Sequence, residues 1–511
     1  MATRDSGTIG GLDNMEDGLQ VNVNFERDRI DMPPRATKIV ATLGPASTDE
    51  GTLRRMFEGG VNVVRLNFSH GRASDHVERA ATVRRVASEI GKHIGVLADL
   101  QGPKIRVGRI DFDSVMLVDG QPFMLDASWR GPGSSHRVGL DYPDLPRDVR
   151  AGDILLLDDG LLKLRVDGVE GDRVDTTVLV GGMLSSNKGI NKQGGGLTAP
   201  ALTAKDADDL ATAMSIHADF IAVSFPKDAR DMLGARRMID VHAAAAGGHR
   251  PLLIAKIERA EAIRNLEEIV EASDGVMVAR GDLAVEVGNA SVPALQKRII
   301  RLARSKDRLV ITATQMMESM IKSPIPTRAE VSDVANAVLD GTDAVMLSAE
   351  SATGRYPVET VQTMAEIAAQ AERARHEDDF AQRGEVRRSE VDQAIAQGAL
   401  YTAQLLGCAA IVVLTDSGST PLWMSRRDAR VPIFALTSRL STYRKMAMYR
   451  NVHALLVDEC DDREAALGAA ERTLADRGIL KSGDRYVITC GETMGVPGGT
   501  NLLKIVICQA G

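Results

Sequence analysis

Aromatic residues are scarce in this 511-residue chain: nine Phe, six Tyr and two Trp, 3% of the total. So few rings leave little for stacking against bases, and a formal net charge of −8 works against a phosphate-backbone partner. Nucleic acid is therefore not an expected partner. Cysteine is rarer still. Cys408, Cys460, Cys490 and Cys508 all fall in the last quarter with no Cys-x-x-Cys pair, which argues against a zinc site or a disulfide framework. Two of them close the strand-like runs "YVITC" and "KIVIC" and read as buried, reduced thiols of a cytoplasmic protein. No apolar run is long enough to span a membrane. The first 34 residues are polar, lack the apolar core of a signal peptide, and read as a polar arm. A Gly-x-x-x-x-Gly-Lys loop, a His-Glu-x-x-His helix and solenoid-type repeats are missing too. What is present is an ordinary balance, 44% hydrophobic and 26% charged, in a chain long enough for about two to four domains.

From Arg35 onward, short β-branched runs alternate with longer stretches of helical period. The runs are "TKIVATLG", "NVVRLNF", "IGVLADL", "DFIAVSF", "LLIAKIE", "GVMVARGD", "RLVITAT" and "DAVMLSAE". Eight strands alternating with helices predict an α/β fold, a closed (β/α)8 TIM barrel over 35–102 and 203–372. Between 103 and 202 the rhythm breaks into short strands joined by Asp-Gly and Gly-Gly turns, which are hairpin signals. An inserted all-β lid domain, itself a small β-barrel, is expected there. A charged linker, "RARHEDDFAQRGE", then leads to a C-terminal α/β region over 387–511.

In such a barrel the chemistry sits at the C-terminal ends of the strands. Arg65, Asn67, Ser69 and His70 close the second run, Asp99 the third and Ser224 the fourth. Lys256 and Glu258 close the fifth, Arg280 and Asp282 the sixth, Thr314 the seventh, Ser348 and Glu350 the eighth. Taken singly, Glu258 or Asp282 reads more readily as a loop carboxylate or helix cap than as a metal ligand, His70 more readily as a loop hydrogen bonder than as a base, and Arg65 equally as a structural ion pair. Seven polar ends aimed at one mouth do not read as seven turns. Glu258 and Asp282 on adjacent strands suit Mg²⁺, which takes one or two carboxylates plus substrate oxygens and water. Arg65 and Lys256 offer charge to an anionic, phosphorylated substrate, and Gly281 lets backbone approach it closely. Metal and cations around a phosphate are the equipment of phosphoryl transfer. An adhesion role for the "RGD" at Arg280–Asp282 fares worst, because the tripeptide ends a buried strand.

These motifs, with "TKIVATLGPAS", "LADLQGPKIRVG", "LIAKIERAEAI", "TATQMMESMI" and "PTRAEVSDVANAVLDGTDAVMLSAESATGRYP", resemble pyruvate kinase. The resemblance implies transfer of the phosphoryl group of phosphoenolpyruvate to ADP, giving pyruvate and ATP. Carried over position by position, it implies that Arg65, Lys256, Gly281, Asp282 and Thr314 contact phosphoenolpyruvate and that Glu258 and Asp282 hold Mg²⁺, with Mn²⁺ as an alternative. Lys256 would stabilise the phosphoryl group in flight, Thr314 and Ser348 would organise proton delivery to the enolate, and Asn67, His70, Arg106 and Lys188 would meet the nucleotide. Potassium-dependent members have a glutamate at the position of Lys104 and a threonine at Leu100, and bind the ion through Asn67, Ser69, Asp99 and that threonine's carbonyl. With Lys104 supplying a fixed positive charge, K⁺ is expected to be non-essential. The C-terminal region resembles the family's effector domain, with Thr415, Ser417, Ser419 and Thr420 as candidates to cradle a phosphorylated effector. "NKGINKQGGGL" resembles a bacterial subgroup activated by AMP or sugar monophosphates, and the family implies a homotetramer. Other Mg²⁺ barrel enzymes that make or cleave an enolate, and a catalytically silent sensor, are the rival readings. The first would not need Lys188 or the insertion, and the second would tolerate loss of Arg65, Lys256 or a metal carboxylate, all of which are present.

Overall fold

The computed structural model describes residues 35–245, 248–374, 390–427, 429–460, 462–493 and 498–509. The polar arm expected at 1–34 and most of the charged linker lie outside the described residues. Eight parallel strands close a barrel: β1 (Lys38–Thr42), β2 (Val63–Asn67), β3 (Gly95–Asp99), β4 (Phe220–Val223), β5 (Leu252–Ile257), β6 (Gly275–Ala279), β7 (Leu309–Ala313) and β8 (Ala344–Leu347). Neighbours follow chain order, and closure comes from β1 against β8, with Lys38 opposite Ala344. The insertion does not disturb the ladder, since β3 and β4 pair directly, Leu97 opposite Phe220. Helices cover the outside, so strands such as β1, β3, β6 and β7 are buried on both faces. That is why they read as continuous apolar runs rather than alternating ones.

Outward-facing side chains, Ile39, Val64, Val96 and Ile221 among them, pack under the helices. Inward-facing ones, including Val40, Leu97, Phe220, Ile254, Met277 and Ile311, fill the barrel and run on without a break into Met446, Ala447, Met448 and Tyr449 of the C-terminal domain. The approach is tight. A Cβ on Gly95 would lie 3.0 Å from the Phe220 ring and 3.2 Å from the Ala447 Cβ.

In the inserted region a six-stranded sheet runs in the order Ile190–Lys192, Ile154–Leu157, Leu162–Glu170, Arg173–Val180, Pro122–Asp126 and Arg137–Gly139. A separate two-stranded ribbon joins Ser114–Leu117 to Gly182–Ser185. Where a small closed barrel is expected, the gap is spanned only by isolated bridges, Arg106 with Gly189, Val107 with Leu140 and Ile110 with Gly133. Short segments rich in glycine break the ladder there before it can close.

The C-terminal domain is a five-stranded sheet of β9 (Ala410–Leu414), β10 (Ile433–Thr437), β11 (Val452–Leu456), β12 (Arg485–Gly491) and β13 (Thr500–Ile507). The spatial order is β11-β10-β9-β12-β13, parallel except for β13. Strand order reverses beside β9, so a crevice opens beyond the C-terminal ends of β9 and β12, the usual ligand position in such sheets. Cys408, Cys490 and Cys508 are buried and Cys460 is partly exposed.

One ion pair ties this domain to the barrel. Asp343, the residue before β8, and Arg426 are both almost wholly buried. Arg426 donates to both carboxylate oxygens, to one of them at 2.7 Å, and to the Arg308 carbonyl at 2.7 Å. Asp343 also accepts the Val310 amide at 2.8 Å. Removing one partner strands the other charge in a dry interior. Arg426→Met is therefore expected to destabilise the fold by about 3–5 kcal/mol, while Arg426→Met with Asp343→Leu recovers most of that loss. Urea unfolding of both variants checks it; a single variant as stable as the parent would show the pair to be dispensable.

Candidate active site

The mouth is built outward from Asp99, the last residue of β3 and 1% exposed. One carboxylate oxygen accepts Arg65 Nε at 2.6 Å and the other lies 3.2 Å from Lys256 Nζ. Arg65 also donates to the Thr42 hydroxyl at 3.0 Å, and Thr42 in turn bonds the Leu347 carbonyl, so four strands fix one guanidinium. Lys256, near the end of β5, completes its tripod with Ser224 Oγ at 2.7 Å and Glu258 Oε1 at 3.0 Å. Burial alone would raise the Asp99 pKa, but Lys256 and Arg65 hold it below the usual carboxylate range. Burial alone would lower the Lys256 pKa, and Asp99 and Glu258 more than reverse this. The lysine stays charged.

Glu258 is the strained member. Burial, with the nearby Asp282 charge, raises its pKa against the opposing pull of Lys256. Its second oxygen accepts the Phe225 amide at 2.9 Å. Asp282 lies across the mouth, with Lys104 Nζ 3.4 Å from its Oδ1. A buried carboxylate whose pKa is raised in part by a second one nearby suits a small hard cation. Among the described residues no group of three or more His, Cys, Asp and Glu side chains could cage a metal. An ion here would complete its shell from substrate and water, as Mg²⁺ does.

The "RGD" tripeptide is the first turn of a helix, Arg280–Val287, that starts directly after β6. Gly281 N donates to Thr314 Oγ1 at 2.8 Å, and that hydroxyl donates to the Ala313 carbonyl at 2.6 Å. Arg280 does not join the mouth, contrary to its place among the polar strand ends. Its guanidinium turns to the carbonyls of Ala313, Thr314 and Gln315 and is anchored by Asp333. Thr314 and Gln315 both sit at positive φ, 67° and 52°, and this clamp holds that unfavourable backbone. Glu350 is likewise occupied, accepting the amides of Ser348 at 2.7 Å and Met317 at 3.2 Å.

Asn67, Ser69 and His70 form a local turn in which Asn67 Oδ1 accepts the Ser69 amide at 3.1 Å and Nδ2 lies 3.4 Å from His70 Nδ1. Arg106 and Lys188 both lie in the inserted domain, each on its own partner: Arg106 donates to the Asn187 carbonyl at 2.9 Å, and Lys188 pairs with Asp158 at 2.8 Å. The Leu100 carbonyl accepts Ser224 Oγ at 2.8 Å. Lys104 thus has Asp282 as its ion-pair neighbour, a partner its sequence position does not disclose. In the C-terminal domain, Thr415 Oγ1 accepts the Gly418 amide at 3.0 Å, Ser417 and Ser419 lie 3.0 Å apart, and Thr420 meets Thr500 across the crevice at 3.0 Å. Residues 494–497, between β12 and β13 in the sequence, lie outside the described residues.

Family models for "Pyruvate kinase, barrel domain" and "Pyruvate kinase, alpha/beta domain" match residues 34–361 and 393–506. The chain belongs to the pyruvate kinase family. It is 49% identical to pyruvate kinase II of Salmonella typhimurium over 480 residues, 93% of this chain and 99% of that one. It is 48% identical to the pyruvate kinase of Haemophilus influenzae over 462 residues, 89% and 96% of the two chains. A crystal structure of a pyruvate kinase from Cryptosporidium parvum superposes with a TM-score of 0.88 at 32% identity, covering 93% of this chain and 96% of that one. The enzyme is thus a phosphotransferase that makes pyruvate and ATP from phosphoenolpyruvate and ADP, the final step of glycolysis.

One residue of this pyruvate kinase escaped sequence reading altogether. Glu286, one turn beyond Asp282, accepts the Ala260 amide at 2.8 Å and lies 3.4 Å from Asn191 Nδ2 where the inserted domain joins the barrel. Lys104, Arg259 and Glu261 line the same small cavity of about 20 Å³. Burial, opposed by the Ala260 amide and reinforced by Glu261, pushes the Glu286 carboxyl up to about 7. Because the folded value exceeds the ordinary one, its contribution to stability is full at low pH and is lost as pH rises through about 7. Glu286→Gln is expected to flatten the fall of the thermal midpoint between about pH 5 and about pH 8. An unchanged slope would place the titration elsewhere.

Proposed function

We propose that the reaction runs on Mg²⁺ bound by Glu258 and Asp282, with Mn²⁺ as a substitute, in a cytoplasmic homotetramer. Phosphoenolpyruvate lies between Arg65, Lys256, Thr314 and the helix start at Gly281 and Asp282. The observation that carries this reading is the Lys256 ammonium, kept charged and aimed into the mouth by Asp99, Ser224 and Glu258. Lys256 stabilises the phosphoryl group as it leaves the enolate oxygen, where its charge counts most. When bound, the divalent ion neutralises charge on the phosphoryl oxygens. The enolate then takes a proton on carbon, from a water or relay organised by Thr314 and Ser348. Neither hydroxyl is acid enough to supply it unaided.

Asn67 and His70 at the mouth, with Arg106 and Lys188 from the inserted domain, take the nucleotide. Closure of that domain excludes water from a phosphoryl donor that would otherwise hydrolyse. The free edge of β13, with Ile505 and Ile507 exposed, and the exposed Tyr401 and Leu405 nearby in sequence to β9 support subunit contacts in the C-terminal domain. A phosphorylated effector, AMP or a sugar monophosphate, occupies the crevice at Thr415, Ser417, Ser419 and Thr420.

Lys104 brings a permanent positive charge into the mouth, and the Leu100 carbonyl already accepts a hydrogen bond from Ser224. Both support activity without a monovalent ion at Asn67, Ser69, Asp99 and Leu100. Pyruvate formation from phosphoenolpyruvate, ADP and Mg²⁺ is expected to proceed at full rate without K⁺, and Lys104→Glu is expected to become K⁺-dependent. Strong K⁺ dependence of the unmodified protein would sink the Lys104 account while leaving the metal carboxylates to be tested by Glu258→Gln.

A further inference from the structure

We propose that Ser224 is a positioning residue for phosphoryl transfer: its hydroxyl, tied to the Leu100 carbonyl, sets the direction in which Lys256 presents its ammonium. The inference deepens the reading of Lys256 given above and rests on it.

Ser224 immediately follows β4 and is 1% exposed. A hydroxyl has one proton to donate. Here it goes to the Leu100 carbonyl at 2.8 Å, so toward Lys256 Nζ, at 2.7 Å, the oxygen can only accept. That is the shortest of the three Lys256 contacts. The Ser224 contact is a hydrogen bond, whereas Asp99 Oδ1 and Glu258 Oε1 face the ammonium as ion-pair partners at 3.2 and 3.0 Å. The three are not equivalent. Asp99 is shared with Arg65, and Glu258 faces Asp282 and the position proposed for the cation. Ser224 is neutral, so an arriving phosphate or metal does not attract or repel it as it does the carboxylates. It is the acceptor that keeps its place when the charges around it change.

The backbone that carries Ser224 is held on both sides. Phe225 sits at φ 57° and gives its amide to Glu258 at 2.9 Å, a conformation a bulky residue adopts only under constraint. Gly102 lies so close that a Cβ there would fall 2.8 Å from the Ser224 Cβ, and its own amide is fixed by Asp206 at 3.0 Å. Leu100 directly follows Asp99. Two consecutive residues therefore hold the ammonium, Asp99 directly through its carboxylate and Leu100 indirectly through its carbonyl and Ser224.

The test is steady-state kinetics of Ser224→Ala in the full-length enzyme with phosphoenolpyruvate varied through saturation at saturating ADP and Mg²⁺, alongside Lys256→Met. Loss of one hydrogen bond to a charged group is expected to lower kcat about tenfold or more. The KM for phosphoenolpyruvate should stay within about threefold of the parent's, since the lost interaction acts in the transition state. The thermal midpoint should stay within about 3 °C of the parent's. A kcat equal to the parent's, a loss confined to KM, or a kcat loss accompanied by a collapsed thermal midpoint would overturn the inference. The control separates the two readings. If Lys256→Met abolishes turnover while Ser224→Ala does not reduce it, only the role of Ser224 falls. If Lys256→Met retains the parent's kcat, the role of Lys256 falls with it.

Discussion

Keeping two cations charged beneath the mouth of a barrel requires a buried carboxylate between them, and Asp99 is that carboxylate. Without it, Arg65 and Lys256 would repel each other in surroundings too poor in water to screen them. Around this core stand Glu258, Asp282 and Lys104, so the mouth holds three cations against three carboxylates. A balanced site of this kind resists an anion entering alone, because the added charge is uncompensated in a low dielectric. It accepts a phosphate at least cost when a cation enters with it. The charge arrangement of the mouth thus already suits the pairing of a phosphorylated substrate with a metal.

Rigid support for that arrangement comes from elements that do not touch substrate. Arg280 clamps three successive carbonyls and so keeps Thr314 in a backbone conformation it would otherwise leave. At the opposite end of the barrel, the Met446–Tyr449 segment closes the interior and the Arg426–Asp343 pair secures the C-terminal domain. The helix Ser419–Ser425 starts at the crevice beyond β9 and ends one residue before Arg426. A short helix therefore spans the distance from the crevice to the base of β8, whose other end leads into Ser348.

Much of this was legible beforehand, for a physical reason. Strands buried on both faces must be apolar along their length, so the change to Arg, Lys, Asp and Glu at their ends marks where they emerge at the mouth. Arg65, Asp99, Lys256, Glu258 and Asp282 are all brought together as that rule implies. The rule fails at Arg280, where a helix begins at the same residue and turns the side chain back under the loop. It fails again at the insertion, where hairpin signals identify strands but not how far their ladder closes.

Sequence by itself determined the barrel, the three-part organisation and the residue types that gather at the mouth, because periodicity and strand-end polarity are local properties of the chain. Only the tertiary structure decided the partners: Lys104 with Asp282, Ser224 between Leu100 and Lys256, Glu286 against the neck of the inserted domain, Arg426 with Asp343. Each of these contacts joins residues far apart in the chain, over distances set by how whole elements pack. A hydrogen bond is made or lost within a few tenths of an ångström, a precision that no local pattern carries.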